Sequence, residues 1–250
     1  MKYRGRRALS VLATLGLVAV FVVLNPESYE TIFTKIENLG AELVGAGVLE
    51  DSVVGDFQTS SSSGEVLKAT EALEKLEVKG RAPKKGYSRE EFYDGWPLVE
   101  GCSLRQRILK RELGETAVLE GCDVVKGEYD EPYTGEHMVF TNRKEVSKLQ
   151  IDHVVALSDA WQKGAQYLDK SVRYEIATDP LNLLAVDGEA NQKKSDGDAA
   201  TWLPANKKFR CQYVARQVSV KYKYGLWVTE AEKEAISRVL QNCPNELVML

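Results

Sequence analysis

Between Gln150 and Asp198 the chain reads strand, long insert, strand, helix, and that order limits how its chemistry can be assembled. Leu149-Gln150-Ile151-Asp152-His153 alternates apolar and polar residues with the period of two of a short strand. Leu183 to Val186 is a second short strand, Asp187-Gly188 reads as a tight turn, and Ala190 onward opens a helix. The insert carries its own helix, Ser158 to Leu168, with Ala160, Trp161, Ala165 and Leu168 on its apolar face. This arrangement can bring Asp152, His153 and Asn191 together.

Those residue types suit phosphodiester hydrolysis, which needs a base for water, a cation for developing charge and contacts that hold the backbone. His153 is one of only 2 histidines, and an imidazole with an ordinary pKa of about 6.5 suits a base near neutrality. Asp152 points to the opposite side of the strand, so one neighbour can hold a metal while the other addresses water. Asn191 adds a neutral oxygen, and hard oxygen donors favour Mg²⁺ or Mn²⁺ over zinc. Lys193 and Lys194 follow within a helical turn as candidate phosphate contacts. The other histidine, His137, lies among turn residues and reads as structural or exposed. No Gly-x-Ser-x-Gly elbow supports a serine hydrolase, and export would oxidise the cysteines rather than leave a nucleophile. Nothing calls for a nucleotide cofactor.

The remaining chain supplies context. Lys2, Arg4, Arg6 and Arg7 precede an uncharged, mostly apolar run from Ala8 to Leu24, roughly 25 Å long as a helix. Residues 1–24 are therefore a signal peptide or an uncleaved anchor to a membrane, and either exports the rest of the chain to the cell surface or beyond. Residues 25–64, with Ser60-Ser61-Ser62-Ser63-Gly64, read as a flexible spacer, so the folded domain spans 65–250. In it, Val66 to Val78 has helical spacing, Tyr87, Phe92, Tyr93 and Trp96 form an aromatic cluster that reads as core, and Ser103 caps a helix to Leu113. Arg105 on that helix is either a solvated charge or a phosphate contact. Turn residues between Cys122 and Phe140 predict hairpins, and Thr229-Glu230-Ala231-Glu232 opens a last helix.

The 4 cysteines contain no CxxC pair and allow three pairings; proximity favours Cys102–Cys122 with Cys211–Cys243 in an oxidising compartment. A net charge of −4 excludes a general nucleic-acid coat. One local segment runs the other way: Leu203 to Gly225 holds Lys207, Lys208, Arg210, Arg216, Lys221 and Lys223 without an acid, which favours contact with a polyanion.

Asp152-His153, Asn182-Leu183 and Asn191-x-x-Lys194 together resemble the HNH endonuclease superfamily, whose core is a ββα-metal fold. Ile151 to Leu157, Ala160-Trp161, Gly164-Ala165, Asp179 to Leu183 and Trp202-Leu203-Pro204 are similar to exported bacterial HNH proteins carrying the C-terminal domain of GmrSD-type restriction endonucleases (domain of unknown function 1524). The resemblance covers roughly Tyr87 to Cys243. It implies an α+β fold, with a small ββα-metal core at 147–202 embedded in a mostly helical domain with short hairpins. It also implies roles: Asp152 and Asn191 hold a divalent metal, Mg²⁺ first and Mn²⁺ second; His153 activates water; Asn182 braces the loop and orients the histidine. Lys194 would contact substrate phosphate, a role that the residues by themselves extend to Lys193 and Arg105. The expected activity is metal-dependent endonucleolytic cleavage of nucleic acid, DNA ahead of RNA, leaving 5′-phosphate and 3′-hydroxyl ends. The competing expectation is an exported module that keeps the HNH fold and binds nucleic acid or another surface partner without cutting.

Overall fold

A hairpin built from residues far apart in the chain organises this domain. The structure is a computed structural model, which describes residues 67–249. These belong to one compact unit, Gly64–Leu250; the expected signal or anchor at 1–24 and the spacer at 25–64 lie outside the described residues. In order the elements are α1 (Ala69–Lys75), β1 (Leu98–Val99), β2 (Cys102–Ser103), α2 (Leu104–Leu113), β3 (Val118–Glu120), β4 (Asp123–Asp130), β5 (His137–Phe140) and α3 (Arg143–Val146). Then come β6 (Leu149–His153), α4 (Leu157–Gln162), α5 (Lys170–Thr178), β7 (Leu183–Asp187), α6 (Gly188–Lys194), α7 (Arg210–Tyr224) and α8 (Glu230–Leu240). The fold is α+β, with helices around three small antiparallel sheets, β1-β2, β3-β4-β5 and β6-β7.

The β6-β7 pair runs from Leu149↔Asp187 to His153↔Leu183. Alternation splits its side chains between two cores. Leu149, Ile151, Leu183 and Ala185 pack with Leu104, Ile108, Leu109 and Leu113 of α2. Leu184 and Val186 pack on the other side with Tyr213, Val214 and Val218 of α7 and Leu73 of α1. Both faces of the hairpin are thus covered by helices, which explains why β7 reads as a continuous apolar run and not as an alternating one. The insert between β6 and β7 builds a third core, where Phe92, Tyr93, Ala160, Trp161 and Ile176 meet Val220 and Leu226.

Three boundaries differ from the sequence expectation. The first helix spans only Ala69–Lys75, because Leu76 is already extended. The helix expected to reach Leu168 stops at Gln162, and a 3₁₀ turn follows. At the break Lys163 is fully buried and Gly164 takes φ 122°, with a Cβ position only 3.1 Å from the Trp227 ring. Backbone conformation and close packing both favour glycine there. Asp187 and Gly188 are not a free turn either: β7 runs directly into α6, and the Asp187 side chain accepts the Ala190 N–H at 2.9 Å as the helix cap.

Disulfides join Cys102 to Cys122 and Cys211 to Cys243. The first ties β2 to the β3–β4 turn, and the second ties the start of α7 to the chain beyond α8. Among the described residues no helix is long and apolar enough to cross a membrane.

Candidate active site

Where β6 ends beside α6, a cleft opens whose lining includes Lys84, Arg89, Gln150, Asp152, His153, Asn191 and Asp196. The hairpin register sets Asp152 and His153 at its rim, and α6, launched directly from β7, sets Asn191 across from β6.

His153 is held by one hydrogen bond and two aromatic neighbours. Its Nε2 lies 2.9 Å from the Ala177 carbonyl oxygen at the end of α5. A carbonyl only accepts, so Nε2 carries the proton and donates, which leaves Nδ1 with its lone pair. Trp96 stacks on the imidazole with planes 7° apart and centroids at 6.0 Å, and the Tyr93 ring lies at 5.8 Å. Burial drives the His153 pKa down to about 3, so the ring is neutral at physiological pH and, in the closed site, a weaker base than the ordinary imidazole value expected from sequence.

Asn182 is the brace behind this arrangement. It is fully buried; its Oδ1 accepts the Val155 N–H at 2.8 Å, and its Nδ2 donates to the Ile176 carbonyl at 3.0 Å. One amide thereby links the chain just after β6 to the α5 terminus whose next carbonyl holds His153.

Asp152 lines the cleft while largely buried; Tyr133 donates its hydroxyl to Oδ2 at 2.5 Å and Lys194 donates to Oδ1 at 3.0 Å. Burial raises the Asp152 pKa despite the Lys194 ammonium beside it. Tyr133 is itself fully buried against Trp202 and Tyr213. Tyr133→Phe would leave Asp152 Oδ2 without that donor, and a hydrogen bond to a charged group is worth about 1.5–3 kcal/mol. Urea denaturation should show a loss of that size; a loss below about 0.5 kcal/mol would remove Tyr133 from the support of this site.

Asn191 donates from Nδ2 to Gln150 Oε1 at 2.9 Å, which turns its carbonyl oxygen away from Gln150. A divalent cation is tested by this donor set. One carboxylate and one amide oxygen match a hard, largely hydrated ion such as Mg²⁺, which is often held by one or two protein oxygens plus water and phosphate. Each Asp152 oxygen keeps acceptor capacity beyond its one hydrogen bond. A closed protein cage is ruled out among the described residues, where no group of three His, Cys, Asp or Glu gathers.

The expected phosphate contacts fall elsewhere. Lys194 is fully buried, its ammonium shared between Asp152 and the His153 carbonyl at 2.9 Å, so it supports the site from below and does not face a substrate. Lys193 points to solvent beside Glu189, 3.8 Å away, outside the cleft lining. Arg105 donates to the Leu149 carbonyl at 2.8 Å and pins α2 to the start of β6, a packing contact. The basic segment also divides. Lys221 is buried, Lys223 pairs with Asp179 at 2.8 Å, and Arg216 reaches the Leu183 carbonyl at 3.3 Å. Only Lys207, Lys208 and Arg210 of that run lie toward its exposed beginning, so no continuous basic face follows the site.

Residues 116–239 match the family of GmrSD restriction endonuclease C-terminal domains. An uncharacterized secreted protein of Arthroderma benhamiae (strain ATCC MYA-4681 / CBS 112371) is 35% identical over 178 residues, covering 70% of this chain and 84% of that relative. The chain belongs to the GmrSD C-terminal-domain family. No solved structure matches it. Membership marks this GmrSD-type domain as nuclease-related and points to interaction with nucleic acid. The secreted relative and two disulfides agree with an extracellular location.

Within this GmrSD-type chain the matched span contains Tyr133, Asp152, His153, Asn182, Asn191 and Lys194, while Arg89, Tyr93 and Trp96 precede it. Sequence reading missed Tyr133, Trp96 and Gln150 as site residues. The aromatic run from Tyr87 to Trp96 was the available signal: it does pack a core, and the same rings also wall the histidine. Gln150 sits two residues before Asp152 on the same strand face, a spacing that points to the cleft once Asp152 is singled out.

Proposed function

We propose that this domain is a metal-dependent endonuclease that hydrolyses phosphodiester bonds of nucleic acid, DNA in preference to RNA. The observation carrying this reading is the posture of His153: Nε2 is committed to the Ala177 carbonyl, so Nδ1 is the basic atom in a cleft shared with two hard oxygen donors. Asp152 and Asn191 would hold a divalent cation, Mg²⁺ or Mn²⁺, which would supply charge stabilisation to the phosphate and leaving oxygen. The chain's own residues do the rest. His153 Nδ1 accepts a proton from the attacking water. The Ala177 carbonyl keeps the ring in the tautomer that allows this and steadies the imidazolium that results. Trp96 and Tyr93 exclude water from the ring faces, and Asn182 fixes the backbone that places both partners.

A second reading has one observation in its favour. Lys194 already neutralises Asp152, which suits a module that binds nucleic acid without cutting it. Purified full-length protein incubated with supercoiled plasmid separates the two. With Mg²⁺ or Mn²⁺, nicked and linear DNA should accumulate; excess EDTA should abolish it. DNA retention without any metal-dependent nicking would overturn the endonuclease in favour of the binding module.

A further inference from the structure

With Lys193, Lys194 and Arg105 turned away, the cleft needs another group to receive substrate phosphate, and its charges show which one is uncommitted. Four charged side chains line it: Lys84, Arg89, Asp152 and Asp196. Lys194 offsets Asp152 from below at 3.0 Å, and Lys84 pairs with Asp196 at 3.1 Å. Arg89 is exposed and has no carboxylate partner among the described residues; its hydrogen bonds, at 3.1 and 2.5 Å, go to the Tyr93 hydroxyl. The acids beside it are engaged elsewhere. Glu91 pairs with Arg173 at 3.1 Å, and Glu90 is tied to Ser88 and its own backbone.

Its posture is also fixed in advance. The guanidinium sits over the Tyr93 ring, 5.2 Å from the centroid, and that ring lies 5.8 Å from the His153 imidazole. An arginine held this way loses little freedom on binding, and its remaining N–H groups match the paired oxygens of a phosphodiester.

We propose that Arg89 forms a phosphate-binding subsite at the cleft mouth, receiving a backbone phosphate of the nucleic-acid strand lying against His153. The subsite is supplied by the short 3₁₀ turn Arg89–Glu91, outside the span that matches the family. It rests on the nuclease reading for its substrate. Asp196 and Lys84 line the same cleft as a closed pair, so Arg89 carries the surplus charge.

Two measurements on full-length protein test it. In plasmid nicking with Mg²⁺, Arg89→Ala should lower kcat/KM by about 10- to 100-fold, as loss of a charge-assisted phosphate contact would. Added guanidinium ion should restore part of that activity, and Arg89→Lys should fall between the two. Lys193→Ala, which removes an exposed cation outside the cleft lining, should stay within about twofold of wild type, whereas a general loss of surface charge would impair the two variants equally. In fluorescence anisotropy with a DNA duplex, in EDTA so that no cutting occurs, Arg89→Ala should reduce the slope of log K against log salt by about 0.9, the loss of one phosphate contact. Nicking within twofold of wild type and an unchanged salt slope would overturn the subsite. If wild type does not nick, the nuclease reading fails, and the salt slope alone decides Arg89. Should Arg89→Ala not fold, judged by circular dichroism, Arg89→Gln takes its place in both assays.

Discussion

Replacing His153 by alanine should lower metal-dependent plasmid nicking by about 100- to 10,000-fold, the usual contribution of a positioned acid–base group. Nothing else in the cleft can take over. The other histidine, His137, is exposed on β5 and bonded to Asp130 at 2.7 Å, and the other polar cleft groups are cations, amides, the hydroxyls of Tyr87, Ser158 and Ser195, or carboxylates already paired. The substitution also opens space beneath Trp96, so the fold must be checked by circular dichroism; His153→Gln fills more of that space and should be as inactive. Activity equal to wild type in a folded variant would end the assignment of His153 as the base.

The largest effect on stability is expected at Lys163, which is outside the cleft lining. Its ammonium has no solvent exposure and lies 2.7 Å from each of Asp159, Asp198 and Glu232. Lys221, equally buried, meets Asp159 at 3.2 Å and Glu232 at 2.8 Å. Arg81 closes the group from the rim, 3.1 Å from Asp159 and 2.7 Å from Asp198. Three carboxylates thus face three cations, and the set is neutral only while every member is present. Lys163→Met removes one cation and leaves the acids buried and unbalanced, a change that costs about 3–5 kcal/mol. For a domain of this size the melting temperature should fall by about 6–20 °C. A shift under about 2 °C would show that the cluster contributes nothing specific.

The same cluster sets a direction for pH. Burial alone would raise the Asp198 carboxyl, but Lys163 and Arg81 hold it well below the usual carboxylate range. A depressed folded-state pKa stabilises the protein above the unfolded value of about 3.9, and that contribution is lost as pH falls further toward the folded value. Burial would likewise lower Lys221, yet Asp159 and Glu232 raise it, so its contribution is present below about 10.5 and lost at more alkaline pH. The Lys163→Met variant should therefore melt with a flatter acid limb than wild type.

Much of this site was legible because its signals are local. Strand alternation places Asp152 and His153 on opposite sides of β6, and helix periodicity places Asn191 early in α6; both need only neighbouring residues. The capping box at Thr229 is equally local and forms as its spacing requires. Even so, its Glu232 side chain does two things, bonding the cap backbone and facing Lys163 and Lys221, and only the first is written in the spacing.

What the sequence determined by itself, then, is the α+β order, the strand–strand–helix unit and the Asp-His pair on it. Tertiary structure alone decided which cations are paired inside the fold and which stay uncommitted at the cleft. Lys163 finds two of its three counterions 35 and 69 residues away, Lys194 reaches back 42 residues to Asp152, and the uncommitted charge at the cleft comes from Arg89, before the matched span. The physical reason is that a lysine is tolerated inside only where distant carboxylates converge on it. Residue type and spacing record that a charge exists; the packing of remote segments decides whether it is spent inside the fold or left for a ligand.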